Sequence, residues 1–235
     1  MRLKVKVKSP IEPGDANIAE TRRQLLEAAG AVFAEVGFRD ATVREICRRA
    51  NANIAAVNYH FGDKERLYTE VLRYSQQRAL QKFPLLLDVS PNAAQEKKLR
   101  AFVESLLRRI FDTGPTAWHG KLMMREMIAS TSALDSMVEE KIRPMAGQLR
   151  QVVAEILECP VEDERTRLCS FSVVSQCVFY NHCRPLICRL FPQQQKDTPD
   201  INKLADHIPQ FSLAALEYFA KAETAGRRVT GGQKN

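Results

Sequence analysis

Residues 42–61, TVREICRRANANIAAVNYHF, read as two short helices joined by a tight turn, and the rest of the chain is organised around them. Thr42 with Glu45 three places on fits a capping box, in which the Thr hydroxyl accepts one orphan backbone N–H and the Glu side chain returns to another. Val43, Ile46, Cys47 and Ala50 then fall at i, i+3, i+4 and i+7 as one apolar stripe, while Arg44 and Arg48 share the opposite face. The periodicity stops at Asn51, the non-glycine residue type most tolerant of the left-handed backbone that a sharp helix exit needs. Asn53 is a good N-cap for a second helix, whose inward stripe is Ile54, Val57 and Phe61. Ala55, Ala56, Asn58, Tyr59 and His60 then face outward or sideways, small at the start and polar at the end. Such a helix suits the major groove of DNA, where small residues let the backbone approach base edges and flanking polar groups bind phosphates. An ordinary surface helical hairpin accounts equally well for this stretch alone.

Composition narrows the classes. The chain has 235 residues, enough for one sizeable core or for a small domain and a larger one. Thirty-five basic against 28 acidic residues give a net charge of +7, which favours an anionic partner without saying which. No run of apolar residues is long enough to span a bilayer and the N-terminus lacks a signal-peptide core, so a cytoplasmic location without membrane partners is expected. The six cysteines, at 47, 159, 169, 177, 183 and 188, form no C-x-x-C pair and read as reduced thiols. His182-Cys183 with Cys177 and Cys188 offers soft-metal or redox chemistry, but its spacing matches no closed site, and buried free cysteine is commonly a small hydrophobe. There is no H-E-x-x-H, no G-x-S-x-G, no phosphate-binding glycine loop and no dinucleotide fingerprint. No catalytic residue, metal or cofactor is therefore assigned.

Along the chain, residues 1–16 place basic groups at 2, 4, 6 and 8 and then lose pattern, as expected of a flexible arm that lies along the DNA backbone or simply in solvent. Asn17 with Glu20 reads as a second capping box, opening a long helix marked by Ile18, Leu25, Ala29, Val32, Phe33 and Val36 and ended by Gly37. After Gly62-Asp63, Lys64 opens a helix running through Leu67, Val71 and Tyr74 toward Pro84. Ser90-Pro91 reads as N-cap and N1 of the next, whose apolar face is Leu99, Phe102, Val103, Leu106, Leu107 and Ile110. A helix ending at Ile128 holds Trp118, His119, Met123, Met124 and Arg125. Ser132 caps another, with a kink or restart at Pro144. Leu168, Phe171, Val174, Val178 and Phe179 mark a later helix, and Leu204, Ile208, Phe211, Leu216 and Phe219 a last one that Pro209 should bend or shorten. Between them 184–200 reads as a long loop, and 224–235 as a flexible tail. The class is all-α, with about nine helices. Trp118, His119, Met123, Arg125, Phe179, Tyr180 and Asn181 are candidate lining for an effector pocket, against ordinary core packing for each.

The stretch 41–68, ATVREICRRANANIAAVNYHFGDKERLY, resembles the helix-turn-helix of the TetR/AcrR family of bacterial transcriptional regulators, in its Thr-x-Arg-x-Ile start, Tyr-His-Phe end and Lys-Glu-x-Leu continuation. The resemblance covers roughly residues 18–75 and departs from the family at Asn51, where many members carry Gly, and at Asn58, where many carry the Tyr that this chain has one place later, at Tyr59. Arg125-Glu126 with the later Pro144 is also similar to a CecR-type C-terminal domain. The resemblance implies a DNA-binding domain over 17–75 and an effector-binding and dimerisation domain over 76–223. It implies a homodimer paired through the last two long helices, a double-stranded inverted-repeat operator, and release of a repressor by a small-molecule effector. Arg44, Ala55 and Ala56 are then the candidate base contacts, Thr42, Asn58, Tyr59, His60 and Lys64 the phosphate contacts, and Asn53 the cap that orders them. Control by a protein partner or by cysteine chemistry, and a ligand-binding protein or enzyme with a degenerate helix-turn-helix, are the alternatives.

Overall fold

The computed structural model describes residues 13–114, 117–194 and 199–230, and every regular element among them is helical. The chain separates into two compact units, one reaching to Tyr74 and one beginning at Ser75. None of the described helices is long and apolar enough to cross a membrane.

The first unit holds α1 (Pro13–Asp40), α2 (Val43–Arg49), α3 (Ile54–Phe61) and the first half of α4 (Lys64–Lys82). Leu25, Leu26, Ala29, Val32 and Phe33 of α1 are buried with Ile46 and Cys47 of α2, Val57 and Phe61 of α3, and Leu67, Tyr68 and Val71 of α4. Phe33 meets Tyr68 edge-on with ring centroids 4.9 Å apart, an aromatic pairing that fixes where α4 crosses α1. Gly37 interrupts α1 at φ 84°, a backbone that only glycine adopts freely. Arg22 of α1 pairs with Glu70 of α4 and lies 5.3 Å over the Phe61 ring, so α1 braces the end of α3.

The second unit comprises α5 (Gln95–Ile110), α6 (Trp118–Ile128), α7 (Ala133–Met137), a π-helical turn (Val138–Ile142), α8 (Arg143–Leu157), α9 (Glu164–His182), α10 (Arg184–Leu190) and α11 (Ile201–Thr230). Its core gathers Leu99, Phe102, Val103 and Leu107 of α5 with Leu149, Val152, Val153 and Leu157 of α8, Val173 and Cys177 of α9, and Ala205, Ile208 and Leu216 of α11. Helix α5 is central, packing against α6, α8, α9 and α11.

Several local expectations are overturned. α1 begins at Pro13, so Asn17 lies inside it, where its main-chain carbonyl accepts from the Thr21 hydroxyl at 2.9 Å. Ile18 and Val36 are exposed. Ser90-Pro91 opens a turn, not a helix: Ser90 O takes the Ala93 N–H at 2.9 Å, and α5 starts only at Gln95. Ser132 makes no side-chain cap, since its backbone is already helical at φ −59° and ψ −19° where a cap needs an extended one. Residues 184–200 contain α10, opened by Pro185 in its first turn. α11 runs unbroken through a buried Pro209 as far as Thr230, which places helix where 224–230 was expected to be a tail. The basic arm at 1–12 and the last residues, 231–235, lie outside the described residues. Pro144 stands in the first turn of α8, directly after the π-turn, as a proline restart requires.

Candidate nucleic-acid interface

The motif is built from its caps. Thr42 has extended backbone and its hydroxyl accepts the Glu45 N–H at 3.2 Å, one half of a capping box. The other half is absent, because the Glu45 carboxylate is taken by Arg48, through Nε and Nη2 at 2.8 Å, and by Arg49 Nε at 2.8 Å. Those guanidinium hydrogen bonds hold the Glu45 carboxyl down to about 2. Arg49 also grips Glu35 of α1 with both terminal nitrogens, at 2.9 and 2.8 Å, a fork that ties α2 to its support. Arg44 is left exposed, with no polar partner among the described residues.

The turn follows the left-handed exit read from the sequence. Asn51 sits at φ 49°, its N–H reaching Arg48 O at 3.4 Å and that of Ala52 reaching Cys47 O at 2.9 Å, a Schellman pattern. Asn53 Oδ1 then accepts from Ala55 N at 2.6 Å and opens α3. Val57 and Phe61 point inward. The outward face is Ile54, Ala55, Asn58 and Tyr59, at i, i+1, i+4 and i+5, with Ala56 and His60 half-buried at its edges. Ile54, expected inward, is 51% exposed. Helix side chains tilt toward the N-terminus, so the first residue of α3 overhangs its own end, beyond the support. Tyr59 is 75% exposed. Burial and the neighbouring Arg22 charge push the His60 imidazole below its ordinary value.

Lys64 differs in kind from the other candidates. Its ammonium donates to Arg39 O at 3.2 Å and Ala41 O at 2.9 Å and lies 4.7 Å from the Phe38 ring centroid. Two of its three donors thus close the end of α1, and one remains for a ligand.

The candidate effector residues fall on α6, from Trp118 to Arg125, and at the C-terminal end of α9, from Phe179 to Asn181. His119 is buried with Nδ1 3.0 Å from Ser75 Oγ, and Met123 Sδ accepts from Gln76 Nε2 at 3.3 Å, while Trp118 is half-buried. Arg125 and Phe179 are exposed; Tyr180 and Asn181 are half-buried. Of the set, Tyr180 alone lines the cavity of about 430 Å³ that opens between the ends of α9, α10 and α11, with Arg184, Ile187, Cys188, Lys203 and His207. All six cysteines are free thiols, and no cluster of metal-ligating side chains occurs among the described residues. Burial raises the Cys177 thiol to about 12, too high for a reactive thiolate. Sequence reading passed over Arg109 because it lies off the apolar stripe of α5; as that helix is covered on several sides, Arg109 is only 4% exposed.

Known proteins resemble the chain in both of its units. Residues 25–71 match the family described as bacterial regulatory proteins, tetR family, and residues 95–216 match the C-terminal domain of the HTH-type transcriptional dual regulator CecR. Over 165 residues the chain is 29% identical to the HTH-type transcriptional dual regulator CecR of Shigella flexneri, spanning 67% of this chain and 74% of that protein. A solved candidate transcriptional regulator from Pseudomonas aeruginosa shares the fold with a TM-score of 0.65 at 22% identity, covering 91% of this chain and 95% of that one. The TetR family regulator PfmR of Thermus thermophilus does so with a TM-score of 0.59 at 18% identity, covering 82% and 95%. The CecR match alone takes in more than half of the chain, which is therefore a member of the TetR/AcrR family of DNA-binding transcriptional regulators with a CecR-type C-terminal domain.

Proposed function

We propose that two copies of this chain bind an inverted-repeat operator, each through residues 17–75, and that a small-molecule effector taken up by residues 76–223 releases them, so that the protein acts as a cytoplasmic repressor. The observation that carries the DNA reading is the outward face of α3, with Arg44 beside it on α2. These side chains are exposed, have no competing polar partner among the described residues, and are held from behind by Arg22, Arg49 and the caps. Arg44 would read a guanine edge through its guanidinium fork. Ile54 and Ala55 offer methyl groups to thymine, and the Thr42 hydroxyl, Asn58 and Tyr59 donate to phosphates.

Two-fold pairing rests on a second surface. On α9, Leu168, Phe171 and Val178 recur on one face and are exposed, as are Phe211, Ala215 and Tyr218 at i, i+4 and i+7 on α11. The two helices pack side by side, and Phe211, Ala215 and Phe219 share a groove with Cys169 and Gln176. An apolar patch of this kind on a single chain marks an interface. Selection of bound sequences from random DNA tests the whole reading. Enrichment of an inverted repeat with half-sites about 34 Å apart, one helical turn, is expected. Enrichment of a single unrepeated half-site would remove the dimer, and no enrichment at all would remove the sequence-specific reader.

A further inference from the structure

The C-terminal unit carries a buried positive charge without a counter-charge. Arg109, in the last turn of α5, is 4% exposed and sits in the core beside Cys177. Its Nε donates to Ser105 O of its own helix at 3.3 Å. Nη1 reaches only the thioether of Met145, at 3.3 Å, and Nη2 has no acceptor. No carboxylate among the described residues pairs with it, and Asp112, whose charge acts on the neighbouring His119, is bound to Lys82 at 2.6 Å. His119 is uncharged, its imidazole lowered to about 4 by burial and then by Arg109 itself. The negative end of the α5 dipole compensates a fraction of a charge, not a whole one. An apolar residue of similar volume would be better tolerated there, since a lone buried cation keeps its full desolvation penalty.

The unfilled edge has a definite shape. Nη1 and Nη2 form the end-on fork of a guanidinium, which matches the two oxygens of a carboxylate. One of its positions is empty and the other is held by a weak sulfur acceptor. Met145 is half-buried in the first turn of α8, immediately after the π-turn, a backbone irregularity that frequently marks functional sites. Its unbranched thioether can swing aside with little strain. Cys177, beside Arg109, belongs to the apolar core that also holds Phe102, Leu149 and Val173.

We infer that Arg109 anchors the carboxylate of a small organic acid with an apolar body, which enters by displacing the Met145 thioether. This rests on the effector reading above, and identifies the chemical class of the effector. The test uses the full-length protein without DNA and three probes, sodium octanoate, sodium benzoate and neutral octanamide, in calorimetric titrations and thermal melts. One octanoate or benzoate per chain is expected to bind and raise the melting temperature, and octanamide to do neither. Arg109→Met should lose about tenfold or more in carboxylate affinity while melting no lower than the parent, because it deletes an uncompensated buried charge. Arg109→Lys, which keeps the charge but not the fork, should lose most of the affinity and remain folded. Silence of both acids, unchanged binding by both variants, or a large drop in the melting temperature of both would overturn the assignment, the last by making Arg109 a structural residue. Operator affinity with and without octanoate then separates the two readings: carboxylate binding that leaves operator affinity unchanged keeps the Arg109 site and removes its role in release.

Discussion

Arg44 and Lys64 are both basic residues at the edge of the helix-turn-helix, and the structure gives them opposite commitments. Arg44 has no partner among the described residues, so Arg44→Ala should leave folding unchanged, relax base preference at one operator position and cost about 1–3 kcal/mol of specific binding. Lys64 spends two donors on the Arg39 and Ala41 carbonyls. Lys64→Ala should therefore lower the unfolding free energy in urea by about 1–3 kcal/mol, an effect that a purely DNA-contacting lysine would not show. His119 gives the chain a pH signature of its own. The folded imidazole takes its proton only near pH 4, the unfolded one near 6.5, so the unfolded chain binds the proton more tightly between those values. Stability is complete above the unfolded value and declines as pH falls through that window, by roughly 3 kcal/mol in all. Urea melts at a series of pH values would show it, and His119→Asn should flatten the decline.

At the level of elements, the parts legible in advance were those whose signals are local. Thr42, Asn51 and Asn53 each act on backbone within three residues of themselves, and the structure places each in the role its side chain dictates. Asn53→Ala should thus lower stability by about 1 kcal/mol, measured by thermal melt, and weaken DNA binding through fraying of α3. What was not legible depends on neighbours remote in sequence. Ile54 has the spacing of a core residue yet overhangs the end of its helix, and Arg109 has the spacing of a surface residue on a helix buried nearly all round. Ser90-Pro91 has the composition of a helix start and makes a turn. The crossing of α5 and α6 was equally invisible: a Cβ added to Gly120 would stand 2.6 Å from the Ile110 carbonyl. Gly120→Ala should accordingly cost about 1–3 kcal/mol, although alanine is the better helix former.

For the whole molecule, the all-helical class followed from periodicity and the two-unit plan from the family resemblance, whereas the outer face of α9 and α11 was legible in neither. The stripe Leu168, Phe171 and Val178 has the same spacing as a core stripe, and only the packed structure shows that Val173 and Cys177 face the interior instead. Phe171→Glu should convert a dimer to a monomer in light scattering while leaving the helical content of each chain intact. On the proposed pairing, that exposed stripe also makes the regulator a meter of its own abundance. Below the dimer dissociation constant, the dimer population follows the second power of chain concentration, so halving expression lowers the dimer, and with it the occupancy of an unsaturated operator, by about fourfold. Dilution and growth between divisions would loosen repression even with no effector present, unless the interface is tight enough to hold the pair together at the scarcest levels the chain reaches.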